Sequence, residues 1–208
     1  VDARYIPEVS VIGDIAESLK GIARLVSREP TRSISVLREH IVEELSNFSE
    51  DDSFPLKPQR ILNDTRRVLG DDDILVADVG AHKIWIARLF PCERPNTCII
   101  SNGFAAMGIG VPGAIAAKLV YPQRRVLSIT GDAGFMMNSQ EIETALRYNI
   151  PVVIMIWNDC GYGLIKWHQD RRFGRSGYVD FGNPDFVRYA ESFGAKGYRV
   201  QKAADLLP

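Results

Sequence analysis

The sequence predicts an α/β fold: a doubly wound, mostly parallel sheet with helices on both faces, preceded by the tail of another domain. Three observations carry this expectation. From Pro58 onward, helical and extended patterns alternate along the chain. Some extended runs, such as Val152-Val153-Ile154-Met155-Ile156, are continuously apolar, as strands covered on both faces must be. Each run closes in a stretch rich in glycine or polar residues, the composition of loops at the carboxyl edge of such a sheet.

Taken in order, the chain opens with a short apolar run, Val9-Ser10-Val11-Ile12, that patterns as a strand. Gly13-Asp14 supplies a turn and cap, and Ile15 to Val26 an amphipathic helix. Two such elements cannot bury themselves, so residues 1–30 are expected to be the tail of a preceding domain. Residues 31–57 pattern as a linker containing a helix over 33–46, followed by the acidic, proline-containing stretch Ser49 to Pro55. The principal domain is expected over 58–208. Its helices are predicted at 59–69, 84–89, 104–120, 139–148 and 184–193, and its strands at 74–77, 97–101, 125–130, 152–157 and 196–200. Both ends of the chain pattern as cuts, at Val1 and at Leu207-Pro208, where a helix starts; the principal domain is therefore expected to be truncated.

Composition narrows the function classes. The 208 residues are 46% hydrophobic and 25% charged, with a formal net charge of -1, which offers no footprint for a nucleic acid. The three cysteines, Cys92, Cys98 and Cys160, form no CxxC pair and with three histidines make no pattern of zinc ligands. A reduced, cytoplasmic setting is the expectation. No apolar run reaches the ~18 residues of a membrane span. Arg171, Arg172 and Arg175 are expected in a solvated loop, or over an anionic ligand.

Ligands of open α/β sheets bind where strands end. That rule selects Asp78 to His82, Ser101 to Met107, Gly131 to Phe135, and Asn158 to Gly163. Gly131-Asp132-Ala133-Gly134 is predicted to be a turn between a strand and a helix, small enough for close backbone approach to an anion and followed by free helical N–H groups. A carboxylate in an anion-binding turn makes sense when a cation intervenes. Asp159 ends the next predicted strand, so parallel pairing brings the two acids to one rim. Two carboxylates, a backbone carbonyl at Gly161 and phosphate oxygens suit Mg²⁺, which favours octahedral oxygen. The alternative is that Asp132 caps a helix and Asp159 a turn.

The segment from Gly131-Asp132 to Asn158-Asp159 resembles the signature of thiamine-diphosphate enzymes, with Ala133 where the family usually has glycine. If that position needs a left-handed backbone, alanine is strained there by roughly 1 kcal/mol. Asp78-Val79-Gly80-Ala81-His82 is similar to the acetolactate synthase stretch that touches the terminal phosphate, which implies contacts from Gly80, Ala81 and His82. Ser101 to Gly108 resembles the segment that holds the aminopyrimidine. The implied roles there are a carbonyl acceptor at Ala105 and a bulky apolar support beneath the cofactor at Met107. Gly161-Tyr162-Gly163 and the residues through His168 lie where the family meets substrate. Residues 179–195, and the opening from Val1 to Gly13-Asp14, are likewise similar to acetolactate synthases.

The resemblance implies the C-terminal, cofactor-binding part of a thiamine-diphosphate carboligase of the acetolactate synthase (acetohydroxyacid synthase) catalytic-subunit type. Thiamine diphosphate and Mg²⁺ are the implied cofactors, and pyruvate or a related 2-keto acid the implied substrate. A homodimer is expected, because the family's catalytic glutamate lies on a pyrimidine-binding domain, usually of a partner subunit. No segment here resembles that domain, and neither Glu141 nor Glu143 substitutes, so the chain by itself is expected to bind rather than turn over. Other thiamine-diphosphate decarboxylases or acetyltransferases, or an assembly module that keeps the fold without catalysis, remain alternatives.

Overall fold

A computed structural model describes residues 6–27 and 32–206. The start of the opening segment (residues 1–5), residues 28–31 and the helix start expected at 207–208 lie outside the described residues. The chain divides into two compact units, Val1–Glu44 and Leu45–Pro208.

In the first unit, α1 (Ile15–Leu25) is capped by Asp14, whose carboxylate accepts the Glu17 N–H at 3.0 Å. The strand predicted over 9–12 does not form. Those residues are irregular and exposed, because a strand needs a ladder partner to satisfy its backbone groups. Helix α2 covers Arg32–Ser46.

The second unit holds α3 (Pro58–Val68), β1 (Ile74–Ala77), α4 (Ala81–Leu89), β2 (Cys98–Ile100), α5 (Gly110–Val120), β3 (Val126–Gly131), α6 (Asp132–Met137), α7 (Glu141–Arg147), β4 (Val153–Trp157), α8 (Gly163–Phe173) and α9 (Phe186–Ser192). A short 3-10 turn spans Ala203–Asp205. The four strands form one all-parallel sheet in the order β2-β1-β3-β4. Side chains alternate across it. Leu75, Ala77, Leu127 and Ile129 pack beneath Leu62 of α3 and Ile86 and Leu89 of α4. Ile74, Val76 and Val126 face Ala114 and Ala117 of α5, while Ile154 and Ile156 meet Val111, Ile115 and Phe135. The doubly wound expectation thus holds. Among the described residues no helix is long and apolar enough to cross a membrane.

Several boundaries differ from expectation. The helix predicted over 104–120 begins only at Gly110, because Ala105 (φ 50°) and Gly108 (φ 91°) are left-handed and interrupt it. The helix predicted over 139–148 is α7 alone, and a separate short helix, α6, precedes it. No strand forms over 196–200; the segment is irregular, with Tyr198 largely exposed. Arg171 and Arg172 are not in a loop. They sit in the last turn of α8, over the Trp167 and Phe173 rings, and the left-handed Gly174 ends that helix.

Candidate functional site

The chain leaves β1 toward β2 and leaves β3 toward β4, so the carboxyl ends of β1 and β3 flank the topological switch point of the sheet. A cavity of about 400 Å³ opens there. Its wall contains Gly80, Ala81, His82, Ala105, Met107, Gly131, Asp132, Ala133, Gly134, Asp159, Gly161, Tyr162 and Gly163, and of the stretch through His168 it takes Leu164 and Ile165 but not Lys166, Trp167 or His168. A second cavity, of about 500 Å³, lies toward the amino ends of β3 and β4 around Val126 and Val153, and contains none of them.

Gly131 is the last residue of β3 and Asp132 the first of α6, with no intervening turn. Asp132 is 1% exposed. Its Oδ1 accepts the Ala133 N–H at 2.7 Å; its Oδ2 accepts the Cys160 N–H at 2.8 Å and the Asn183 amide at 2.6 Å. Cys160 can aim its N–H this way because its backbone is left-handed (φ 55°), at a cost of ~1 kcal/mol for a residue with a Cβ. Ala133 is buried in the first turn of α6 and is not among the left-handed residues, so the alanine is unstrained.

Asp159 follows β4 on the open side of the cavity. Partial desolvation and the nearby negative charge of Asp132 raise its carboxyl above the usual 3.8, against hydrogen bonds from its own and the Gly161 backbone. A cation at this rim would relieve that repulsion. A Cβ at Gly163 would stand 2.8 Å from Asp159 Oδ2, so a larger residue there displaces that carboxylate. Because the folded state holds the Asp159 proton more tightly than the unfolded chain, its contribution to stability is complete below 3.8 and is lost as pH rises through the folded value. Asp159→Asn, which removes this penalty, is expected to raise the melting temperature of the ligand-free protein at pH 7. The rise is ~1–3 °C after allowance for solvent screening, and it should vanish near pH 4 in melts followed by circular dichroism.

His82, in the first turn of α4, is buried against the edge of Trp157, at 6.4 Å between ring centres. Burial lowers its pKa below 6.5, opposed by the Asp78 charge and a hydrogen bond to the Asp78 backbone. Its Nε2 is buried without a hydrogen-bond partner, on a side chain that lines the cavity. With the other ring nitrogen donating to the Asp78 backbone, the neutral ring leaves Nε2 an acceptor; it donates to an oxyanion once the ring takes up a second proton, which an anion's charge favours. In the ligand-free protein the unfolded chain takes up this proton near 6.5 and the folded protein only below that, so the stability is complete above 6.5 and drains as pH falls. His82→Asn is expected to flatten the loss of stability between pH 6.5 and 5 in urea denaturation.

Two other positions line the cavity. Ala105 holds a left-handed backbone, and Met107 is half-buried in the segment leading to Gly108. Phe104 is fully exposed, whereas Met107 is drawn into the cavity wall.

Two site residues had no role assigned from sequence. Asp78, 0% exposed, accepts from Val79 N–H at 2.6 Å, Gly108 N–H at 2.9 Å and Thr130 Oγ1 at 2.9 Å, tying together three walls of the cavity. An acid closing an apolar strand was its available signal. Asn183 comes from a segment far along the chain, and nothing in its spacing pointed to Asp132. Among the described residues no group of three or more His, Cys, Asp or Glu side chains is arranged to hold a metal. A cation here would therefore rely on the Asp132 and Asp159 carboxylates, the Gly161 carbonyl and oxygens from its ligand.

Over residues 78–208 the chain matches the family described as "Thiamine pyrophosphate enzyme, C-terminal TPP binding domain". It is 36% identical to an acetolactate synthase of Bacillus subtilis (strain 168), over 99% of this chain and 37% of that protein. It is 37% identical to a catabolic acetolactate synthase of Raoultella terrigena, over 100% of this chain and 38% of that protein. A probable acetolactate synthase large subunit of Methanocaldococcus jannaschii is 37% identical over 93% of this chain and 34% of its own length. The chain thus spans little more than one third of these relatives.

Proposed function

The chain belongs to the thiamine pyrophosphate enzymes, as their C-terminal TPP-binding domain, and from that premise we propose that its switch-point cavity holds thiamine diphosphate through Mg²⁺ for acetolactate synthesis. The reaction is the joining of two pyruvates to 2-acetolactate and CO₂. The observation that carries this reading is the meeting of Asp132, Asp159, Gly161 and the unpartnered Nε2 of His82 on one cavity.

In this reading Asp132, Asp159 and the Gly161 carbonyl hold the Mg²⁺, and His82 with Gly80, Ala81 and the 131–134 segment holds the diphosphate. The Ala105 carbonyl would accept from the aminopyrimidine, and Met107 would offer the cofactor's rings an apolar contact. Tyr162 and Gly163 bound the site on the α8 side. The apolar wall of Trp85, Trp157, Leu164 and Ile165 lowers the local dielectric and strengthens these polar contacts. When bound, thiamine diphosphate supplies the carbon nucleophile and the electron sink for decarboxylating a 2-keto acid. The chain's own part is binding, orientation and water exclusion.

Residues 1–30 are proposed as the tail of a middle domain, 31–57 as a linker and 58–208 as the cofactor domain. The catalytic glutamate is proposed to come from a pyrimidine-binding domain, in a cytoplasmic homodimer. The similarity to acetolactate synthases at 36% and 37% identity supports the choice of reaction.

Calorimetric titration of thiamine diphosphate with and without Mg²⁺, with pyruvate consumption and acetolactate formation assayed in the protein joined to a pyrimidine-binding domain, tests the proposal. Mg²⁺-dependent binding and acetolactate are expected. Binding with a different 2-keto acid product would point to another decarboxylase or acetyltransferase. Absence of binding would leave an assembly module.

A further inference from the structure

The part of the cavity wall that carries Ala105 and Met107 has little regular structure of its own. Among the described residues, no backbone–backbone hydrogen bond outside the helices and strands begins or ends on residues 102–108. The segment is held instead at Gly108, which is buried and left-handed (φ 91°). The Gly108 N–H donates to Asp78 Oδ1 at 2.9 Å, and the Gly108 carbonyl accepts the Asn138 side-chain amide at 2.8 Å. The peptides on both sides of this residue are therefore clasped, by side chains from two different elements. Glycine permits the approach: a Cβ at position 108 would stand 2.7 Å from Asn138 Nδ2 and 2.9 Å from the Met137 Cβ.

Asn138 is placed to act from behind the wall. It is the C-cap of α6, half-buried, and does not line the cavity. Its backbone is fixed without help from its side chain. The Asn138 N–H donates to the Phe135 carbonyl at 3.3 Å, and its carbonyl accepts the Glu141 N–H at 3.2 Å. Ser139, the next residue, is buried and hydrogen-bonded to the Tyr189 hydroxyl at 2.8 Å. Gln140 donates to Asn138 Oδ1 at 3.4 Å, which leaves Nδ2 for Gly108. Removing the Asn138 side chain thus loosens residues 102–108, while α6, which begins at Asp132, keeps its anchors.

We propose that Asn138 is a positioning residue: its amide, on the Gly108 carbonyl, holds Ala105 and Met107 in place for the rings of the bound cofactor and has no part in gripping the diphosphate. The inference rests on the thiamine-diphosphate reading of this cavity and deepens it. A wall already held in its bound conformation spares the ligand the entropy cost of ordering it. That gain belongs to a ligand with rings and is absent for a bare diphosphate.

The test is calorimetric titration of the protein, joined to a pyrimidine-binding domain, with thiamine diphosphate and with inorganic pyrophosphate. Both are titrated at saturating Mg²⁺, and for the unsubstituted protein also without Mg²⁺. Asn138→Ala is expected to lower affinity for thiamine diphosphate about tenfold and for pyrophosphate by less than about twofold. Asn138→Ser keeps a shorter donor and should fall between, and it carries the same comparison if the alanine variant does not fold. A purely structural role would weaken both ligands equally. Equal weakening, or none, in folded variants, alongside Mg²⁺-dependent binding of both ligands by the unsubstituted protein, overturns the inference alone. An unsubstituted protein that fails to bind either ligand, or binds without need of Mg²⁺, overturns both it and the reading beneath it.

Discussion

Asp132→Ala is expected to lower Mg²⁺-dependent affinity for thiamine diphosphate at least ~100-fold and to destabilise the ligand-free protein by ~3 kcal/mol. The two effects have different origins. Binding is lost because one of the two carboxylates at the cavity is removed, and the diphosphate then meets Asp159 without a shared cation. Stability is lost because three donors, the Ala133 and Cys160 N–H groups and the Asn183 amide, lose their acceptor. A buried unsatisfied donor costs ~1–3 kcal/mol, and access to cavity water keeps the sum near the lower end. Asp132→Asn separates the origins. It retains one acceptor oxygen and the shape, so stability should recover by about half, while a neutral amide still fails as an anionic ligand. Urea denaturation reads the first quantity and calorimetry the second. Unaltered binding by Asp132→Ala would remove Asp132 from the metal site altogether.

Asp78→Ala is expected to be the most destabilising of these changes, at ~3–5 kcal/mol. The carboxylate it removes is fully buried and takes the Val79 and Gly108 N–H groups and the Thr130 hydroxyl. The surrounding residues are small because this carboxylate fills the space. A Cβ on Gly134 would come within 2.9 Å of Asp78 Oδ2, and one on Gly110 within 3.0 Å of its Cβ. Loss of the Gly108 bond frees the segment that carries Met107. The protein that remains folded should also bind cofactor more weakly, without any change in its dependence on Mg²⁺. Asp78→Asn, which keeps an acceptor, should cost about half as much. Equal stability of Asp78→Ala and the unsubstituted protein in guanidinium denaturation would show that these bonds contribute nothing net.

Much of the sheet was legible because burial on both faces leaves a direct mark on composition. β1 falls on the four apolar residues Ile74–Ala77 as expected, and β4 within one residue of its expected start. The misses share a cause. The short segments at 9–12 and 196–200 contain β-favouring side chains such as Val9, Val11, Tyr198 and Val200, but a strand also needs a neighbour to complete its hydrogen bonds, and no local pattern states whether one exists. The helix expected from 104 failed for a related reason. Ala105 has high intrinsic helix propensity, yet its left-handed backbone is compatible with the turn that brings Gly108 to Asp78. Tertiary contact overrode propensity there.

For the site, residue type and order were enough to select the strand-end loops and the residues that line one cavity, since an acid among glycines at the end of an apolar strand is a local pattern with a chemical meaning. What local pattern does not contain is which oxygen of Asp132 is anchored, that His82 has an empty nitrogen, or that Asp78 and Asn183 brace the walls. Those facts depend on approaches between segments as far as 52 residues apart, from Asp78 to Thr130. Binary pattern and glycine placement are encoded residue by residue, and the chain alone determined them. The satisfaction of buried polar groups is a property of distances across the fold, and only the packed sheet decided it.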